Sequence, residues 1–324
     1  MTDTRPAKHG DYEEGVARCL AGLPKGLNLF DLPQPRAGFR QFISSWFFVD
    51  GMGRRVVVDP GPASTIPLLF EKLSPLTNGV DLVLITHIHL DHSGGIGQFC
   101  ERFPDAKVVV HPKGARHLID PGKLWRHSLG VLGDLVAMYG EPMPLNPARL
   151  LDWKELPGVT VLETPGHAPH HVTYIVPFQD GRLFFAGESA GLSIPLPKPY
   201  FRPTTPPKFD GAAARQTLRL LAETLQEGDT LCYAHWGAAR DAKSRLAQAE
   251  KQLANWLAIA SQMKDQPEEA VMKRLIAEDA LLSGYASLPE DVKKRENIFI
   301  RNSVKGVLMF LEEERSGGER GITV

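Results

Sequence analysis

Short apolar runs broken by Gly, Pro and Asp punctuate the chain from residue 27 onward, and they predict strands before helices. Leu27 to Asp31, Gln41 to Val49 and Arg54 to Asp59 read as successive strands, with Asp50-Gly51 supplying a hairpin turn. Asp59-Pro60-Gly61-Pro62 breaks the last of these. Ser64 to Leu73 then reads as a helix, Val80 to Ile85 as a buried strand rich in branched side chains, about Gly95 to Phe103 as a helix and Lys107 to His111 as a strand. Residues 112–155 form a less regular insert. Periodicity of two returns at Val159 to Glu163, His171 to Val176 and Arg182 to Ala186. The six prolines of loop 192–209 argue against any regular element there. Asp210 caps a helix with an apolar face of Ala214, Leu218, Leu221 and Leu225 that stops at Gly228, and Thr230 to Ala234 is a last strand.

Beyond Gly237 the spacing becomes helical. Leu246, Ala249, Leu253, Trp256 and Ala260 recur at steps of three and four, as do Ile300, Val304, Val307, Leu308 and Leu311. These faces need cover, either from the core or from a partner subunit, and a homodimer through the C-terminal helices is one way to supply it. The predicted organisation is therefore a polar lead-in (1–26), an alternating strand and helix domain (27–239), a helical extension (240–315) and a frayed tail (316–324).

Composition narrows the partners. The 324 residues suit one large domain or one with a smaller companion. With 37 basic and 38 acidic side chains the net charge is −1, which gives no push toward nucleic acid or an anionic membrane and leaves a small-molecule substrate. Met1 to Asp11 lacks the apolar core of a signal peptide, and no run approaches the roughly 18 apolar residues of a spanning helix. Cys19, Cys100 and Cys232 are odd in number and far apart, so reduced thiols in a cytoplasmic protein are expected, with Cys232 a buried strand residue.

The chemistry concentrates at strand ends. Thr86-His87-Ile88-His89-Leu90-Asp91-His92-Ser93-Gly94-Gly95 holds three of the 11 histidines beside an aspartate, a metal-ligand spacing that no apolar core requires. Residues two apart in extended backbone face the same way, so His87 and His89 can converge on one ion while the following turn re-aims Asp91 and His92. Two divalent ions held close together need more imidazoles and a carboxylate. Thr164-Pro165-Gly166-His167 follows one strand, Gly187-Glu188 follows another, and His235-Trp236-Gly237 follows the last.

That ordered set resembles the metallo-β-lactamase-fold hydrolase superfamily, with its HxHxDH stretch, TPGH-like turn, acid after a strand and final histidine. The resemblance covers roughly residues 27–237. It implies an α/β fold, a four-layer αββα sandwich with its metal site at one edge of the sheets, here carrying a C-terminal helical extension. It also implies one ion on His87, His89 and His167, another on Asp91, His92 and His235, and the acid at 188 between them. Zn is the default ion, with Fe or Mn as substitutes. Asp59 matches the family's early Asp turn and would support catalysis from behind the ligands, while Asp91 would carry a proton to the leaving group. His171 matches the second histidine of the TPGHxxxH pattern and would back the ligands. The chain departs from the family at Glu188, where aspartate is usual: either the glutamate bridges, or it binds one ion only.

The resemblance implies a hydrolase that uses a metal-bound hydroxide on an ester-like, thioester or lactone substrate, in a glyoxalase-II-like or lactonase-like branch. A phosphodiesterase, a mononuclear iron dioxygenase-type enzyme and a metal-binding protein without activity are the alternatives. Gly187-Glu188-Ser189-Ala190-Gly191 also fits the nucleophile elbow of serine esterases, but the prolines that follow cannot form its helix. His117, Tyr139, His170, Tyr200 and Phe201 are candidates to line the substrate pocket, and Trp236 to pack beneath the site. His9, His111 and His127 have no partner in sequence.

Overall fold

The computed structural model describes residues 10–153 and 156–320, with side chains through residue 316. Met1 to His9 and the last four residues, 321–324, lie outside the described residues, and with them the expectations for the chain start and His9.

Two five-stranded sheets form the centre. The first contains β1 (Asn28–Asp31), β2 (Ser44–Val49), β3 (Arg55–Val58), β4 (Leu82–Leu84) and β5 (Lys107–Val109) in that spatial order. Its β1-β2-β3 meander is antiparallel, and β3, β4 and β5 run parallel. The second contains β6 (Thr160–Glu163), β7 (Val172–Phe178), β8 (Gly181–Phe185), β11 (Thr230–Cys232) and β12 (Ala238–Ala239), in the order β12-β11-β8-β7-β6. Parallel pairing of β8 with β11 brings the ends of both strands, Glu188 and His235 beyond them, to one edge.

Alternation along the strands explains the layers. Val56 and Val58 face the second sheet with Trp46, Phe48, Leu82 and Leu84, meeting Tyr174, Leu183 and Phe185. Val57 and Val83 face the other way, onto helices α2 (Ile66–Leu73) and α4 (Ile96–Arg102) through Leu69 and Phe99. On the outer side of the second sheet Phe184 and Leu231 meet Leu218 and Leu221 of α8 (Gly211–Thr224). The four-layer αββα order expected from the sequence is present. Tyr174 links the two sheets, its hydroxyl lying 3.0 Å from the carbonyls of Ile85 and Val109.

Three expectations are corrected. The polar lead-in carries helix α1 (Asp11–Ala21), which buries only Tyr12 and Gly15, too narrow a stripe to register as a period. The insert is largely helical, with α5 (Pro112–Ile119), α6 (Gly122–Leu132) and α7 (Asp134–Ala137); α6 buries no residue completely, so it has no clean apolar face to read. The Pro-rich loop holds a two-stranded ribbon, β9 (Leu192–Ile194) with β10 (Tyr200–Arg202), because its prolines fall between and after the paired residues.

The extension comprises α9 (Ala242–Gln262), α10 (Glu268–Glu278) and α11 (Glu290–Arg320). Its apolar faces are covered within the chain: Trp256, Val271, Ile300 and Val304 share one cluster with Phe39, Phe42 and Ile43. The last helix continues through the predicted tail to Arg320. At its start α11 docks so closely that a Cβ on Gly38 would sit 2.1 Å from the Asp291 carbonyl oxygen. Arg202 and Arg295 share buried Glu296, at 2.6 and 2.8 Å. No described helix is long and apolar enough to cross a membrane. Cys19, Cys100 and Cys232 form no disulfide, and Cys232 is buried in β11 as expected.

Candidate metal centre

After β4 the chain bends at Thr86, is extended at His89 and then enters a single helical turn, α3 (Leu90–Ser93). That turn carries Asp91 and His92 back toward the strand end. Gly61 fixes the return: its carbonyl accepts from Gly95 N and its N–H donates to His92 O, both at 2.9 Å. Two groups of donor atoms gather, His87, His89, His167 and Glu188 in one and Asp91, His92 and His235 in the other, each group within 4.8 Å.

Glu188 lies between the groups. Its Oε2 is 2.9 Å from His167 Nε2 and 3.1 Å from His87 Nε2, while Oε1 is 3.1 Å from His235 Nε2. Burial opposes its charge, but the His167 and His235 imidazoles hold its carboxyl well below the usual range.

The imidazoles are oriented from behind. Thr86 donates its hydroxyl to Asp59 Oδ2, so Thr86 Oγ1 accepts from His87 Nδ1–H at 3.0 Å and leaves the ring's Nε2, the nitrogen facing Glu188, without the proton. His167 Nδ1 donates to Thr204 O at 2.9 Å, and His235 Nδ1 to Phe42 O at 3.3 Å. Phe42 also stacks on His235, with ring centroids 4.2 Å apart. His171 lies behind Glu188: Nε2 accepts the Glu188 N–H at 3.1 Å, and its other nitrogen is 2.9 Å from Thr164 Oγ1.

Asp59 sits behind this layer, buried, at φ 50°, and touches Thr86 rather than the donor atoms. Burial pushes its pKa up to about 6, against the pull of His92 and Thr86. Burial drives His87 and His89 down, so they stand as neutral donors. Burial also lowers His92, but the charges of Asp91, Glu188 and Asp59 outweigh it and raise the group to about 9.

The donor set fits divalent cations on two observations. Both ring nitrogens of His92 are buried without a hydrogen-bond partner. His167 Nε2, made an acceptor by its bond to Thr204, faces His89 Nδ1 at 3.0 Å. Converging imidazole nitrogens beside two carboxylates are the ligands of zinc-type ions.

The outer candidates divide. Tyr139 is buried, and the fields of Asp91 and Glu188 add to burial in raising its pKa, so a neutral phenol stands near the donors. His170 lies at the rim, its ring 6.1 Å from that of His89. His117 is on α5 and accepts from its neighbour Arg116. Tyr200 is corrected: it is fully buried under α11, its hydroxyl donating to Glu296 at 2.7 Å, because the ribbon turns it inward. Phe201 borders a cavity that His167 and Glu188 also line, and it lies under the Arg245 guanidinium, 4.5 Å away. Trp236 is buried, at φ 66°. His111 caps α5 through Lys113 N, and His127 is exposed. Ser189 donates to Ala186 O at 2.6 Å and is followed by β9, not by the helix of an esterase elbow. Thr86, Thr204 and Phe42 gained no role from sequence. Thr86 lay within the motif, whereas nothing in the pattern marks the other two.

The fold agrees with the comparisons. The family model described as the metallo-beta-lactamase superfamily matches residues 39–235, and the chain belongs to that superfamily. Among solved structures it is similar to a beta-lactamase domain protein from Burkholderia ambifaria, with TM-score 0.63 and 19% identity over 92% of this chain and 88% of that one. An archaeal metallo-beta-lactamase superfamily protein from Sulfolobus tokodaii gives TM-score 0.58 and 21% identity over 88% and 98%.

Among curated proteins, hydroxyacylglutathione hydrolase of Photobacterium profundum is 35% identical over 140 residues, 43% of this chain and 44% of its own. That of Xanthomonas euvesicatoria pv. vesicatoria is 28% identical over 180 residues, 56% and 57% respectively. The chain thus spans 44% and 57% of the length of these two relatives.

Proposed function

We propose that this chain is a dinuclear metal-dependent hydrolase acting on a small thioester or a related ester-type substrate. The observation that carries the reading is the placement of the two Glu188 oxygens, one toward His87 and His167 and the other toward His235. A carboxylate so disposed faces both donor groups and would be shared by two ions, which supports a dinuclear arrangement over a single three-ligand ion. His87, His89 and His167 would hold one ion, and Asp91, His92 and His235 the other, with Zn the first choice for this N/O donor set. Two such ions, when bound, supply a water activated near neutral pH and a Lewis-acid hold on the acyl oxygen.

The remaining work falls to the chain. Asp91, its side chain 15% exposed, is the acid best placed to pass a proton to the departing group. Tyr139, kept protonated by burial and by the fields of Asp91 and Glu188, would be available as a neutral donor beside the acids. The relatives named hydroxyacylglutathione hydrolases support the thioester choice. The low net charge and unpaired cysteines suit a cytoplasmic enzyme of small molecules.

Metal analysis of the purified protein, followed by a panel of thioesters, lactones, phosphodiesters and β-lactams, tests this. Two equivalents of metal with preference for thioesters is expected. A single iron with oxygen consumption overturns it.

A further inference from the structure

The donor groups are gripped by a segment outside the ligand motifs, residues 200–205. Thr204 touches two of them at once: its carbonyl oxygen accepts from His167 Nδ1 at 2.9 Å, and its hydroxyl donates to the Glu188 carbonyl at 2.7 Å. The rest of the segment is tied to α11. Arg202 Nε and the Tyr200 hydroxyl reach Glu296 at 2.6 and 2.7 Å, and Thr205 donates its hydroxyl to Ser303 O at 2.9 Å. Contact is so close that a Cβ on Gly306 would lie 2.0 Å from the Thr205 carbonyl oxygen.

Beside the segment is a cavity of about 30 Å³, bordered by Arg202, Thr204, Thr205, Glu188 and Gln252. It has room for a water. Hydrogen bonds to α11, together with the close approach at Gly306, set the position of the segment.

We infer that Thr204 is a positioning residue for the metal centre, and that α11, through segment 200–205, sets how far the Glu188 carboxylate reaches between the two donor groups. The inference rests on the metal-centre reading above. Glutamate is one methylene longer than the aspartate usual in the superfamily, so its Cα must be held back for the carboxylate to stay between the ions. Both backbone groups of Glu188 are tied from behind: His171 Nε2 accepts from the N–H, and the carbonyl accepts from the Thr204 hydroxyl at 2.7 Å and from Gly191 N at 3.1 Å. Thr204 also fixes the His167 tautomer, so one residue aligns the acid and an imidazole together.

Zinc affinity of the full chain, measured by competition with a chromophoric chelator on folded protein, provides the test. Thr204→Val keeps the backbone carbonyl and removes the hydroxyl, and it should weaken the more labile equivalent by about 10- to 100-fold. Thr204→Ser restores the hydroxyl and should bind as wild type does, a rescue that a space-filling role would not give. If valine and serine variants both match the wild type, the inference is overturned. Should the valine variant fail to fold, Thr205→Val, which cuts the tie to Ser303, takes its place: weaker zinc binding supports the inference and unchanged binding overturns it. A wild-type chain that binds no metal overturns the metal-centre reading itself, a result distinct from either.

Discussion

Thr86 donates to both carboxylate oxygens of Asp59, from its backbone N–H at 2.8 Å and from its hydroxyl at 2.7 Å. The pair fixes the residue before the first ligand and, through the hydroxyl, the tautomer of His87. Asn tolerates the positive φ of Asp59, so Asp59→Asn changes chemistry rather than backbone. Its amide nitrogen would face one of the Thr86 donors. Metal affinity should fall about 10- to 100-fold with little change in fold, read by chelator competition and circular dichroism. Asp59→Ala leaves the buried Thr86 N–H without its partner and should cost about 1–3 kcal/mol in denaturant unfolding.

Glu188→Gln keeps the shape and removes the charge between the donor groups. Metal content by elemental analysis should drop from two equivalents toward one, and turnover with it. Two tightly held equivalents in this variant would show that the carboxylate does not bridge.

Asp91→Asn should lower kcat by about 10²- to 10⁴-fold if Asp91 carries the proton to the leaving group. Full turnover with both metals retained would remove Asp91 from that role. A less basic leaving group should recover part of the loss, because it departs without the proton.

Glu296 gives the fold an acid-sensitive lock. Burial works against its charge, but Arg202 and Arg295 draw its pKa down to about 2. Folding lowers the value, so the stabilisation is complete above the unfolded pKa of about 4.3 and is lost as pH falls toward about 2. The shift corresponds to about 3 kcal/mol. Tm should therefore fall steeply across that window. Glu296→Gln should lower Tm at neutral pH and flatten the acid limb, and an unchanged slope would rule out this source.

Gly187 has φ 54°, and a Cβ there would meet His171 Nε2 at 2.3 Å. Gly187→Ala should cost about 1–3 kcal/mol from overpacking alone, with the strained φ adding to it. It should also break the bond that holds the Glu188 N–H, so metal affinity and Tm ought to fall together.

Most of the strand positions were legible because branched apolar runs and Gly-Pro breaks mark their ends, as at Val80 to Ile85 and Asp59 to Pro62. The donor residues were legible for a related reason: His87, His89, Asp91 and His92 are packed into one motif, and His167, Glu188 and His235 each follow a strand. Elements with little buried surface were not legible, namely α1 and α6. Nor was the ribbon at 192–202, where local proline chemistry yields to pairing between residues the prolines leave free. Tyr200 was misread because direction depends on that pairing. Phe42 and Thr204 act through contacts spanning 193 and 37 residues of sequence, which no local pattern encodes.

Every proposed ligand lies between His87 and His235, yet part of the surface that braces them comes from α11, more than fifty residues further along the chain. Phe42, stacked on His235, lies 4.4 Å beneath the Arg295 guanidinium and 4.7 Å from Phe299. Without α11 that ring would lose the cover of Arg295 and Phe299, and segment 200–205 would lose its ties to Glu296 and Ser303. The helical extension is thus part of the wall of the donor site and not a separate appendage, although it contributes none of the proposed ligands.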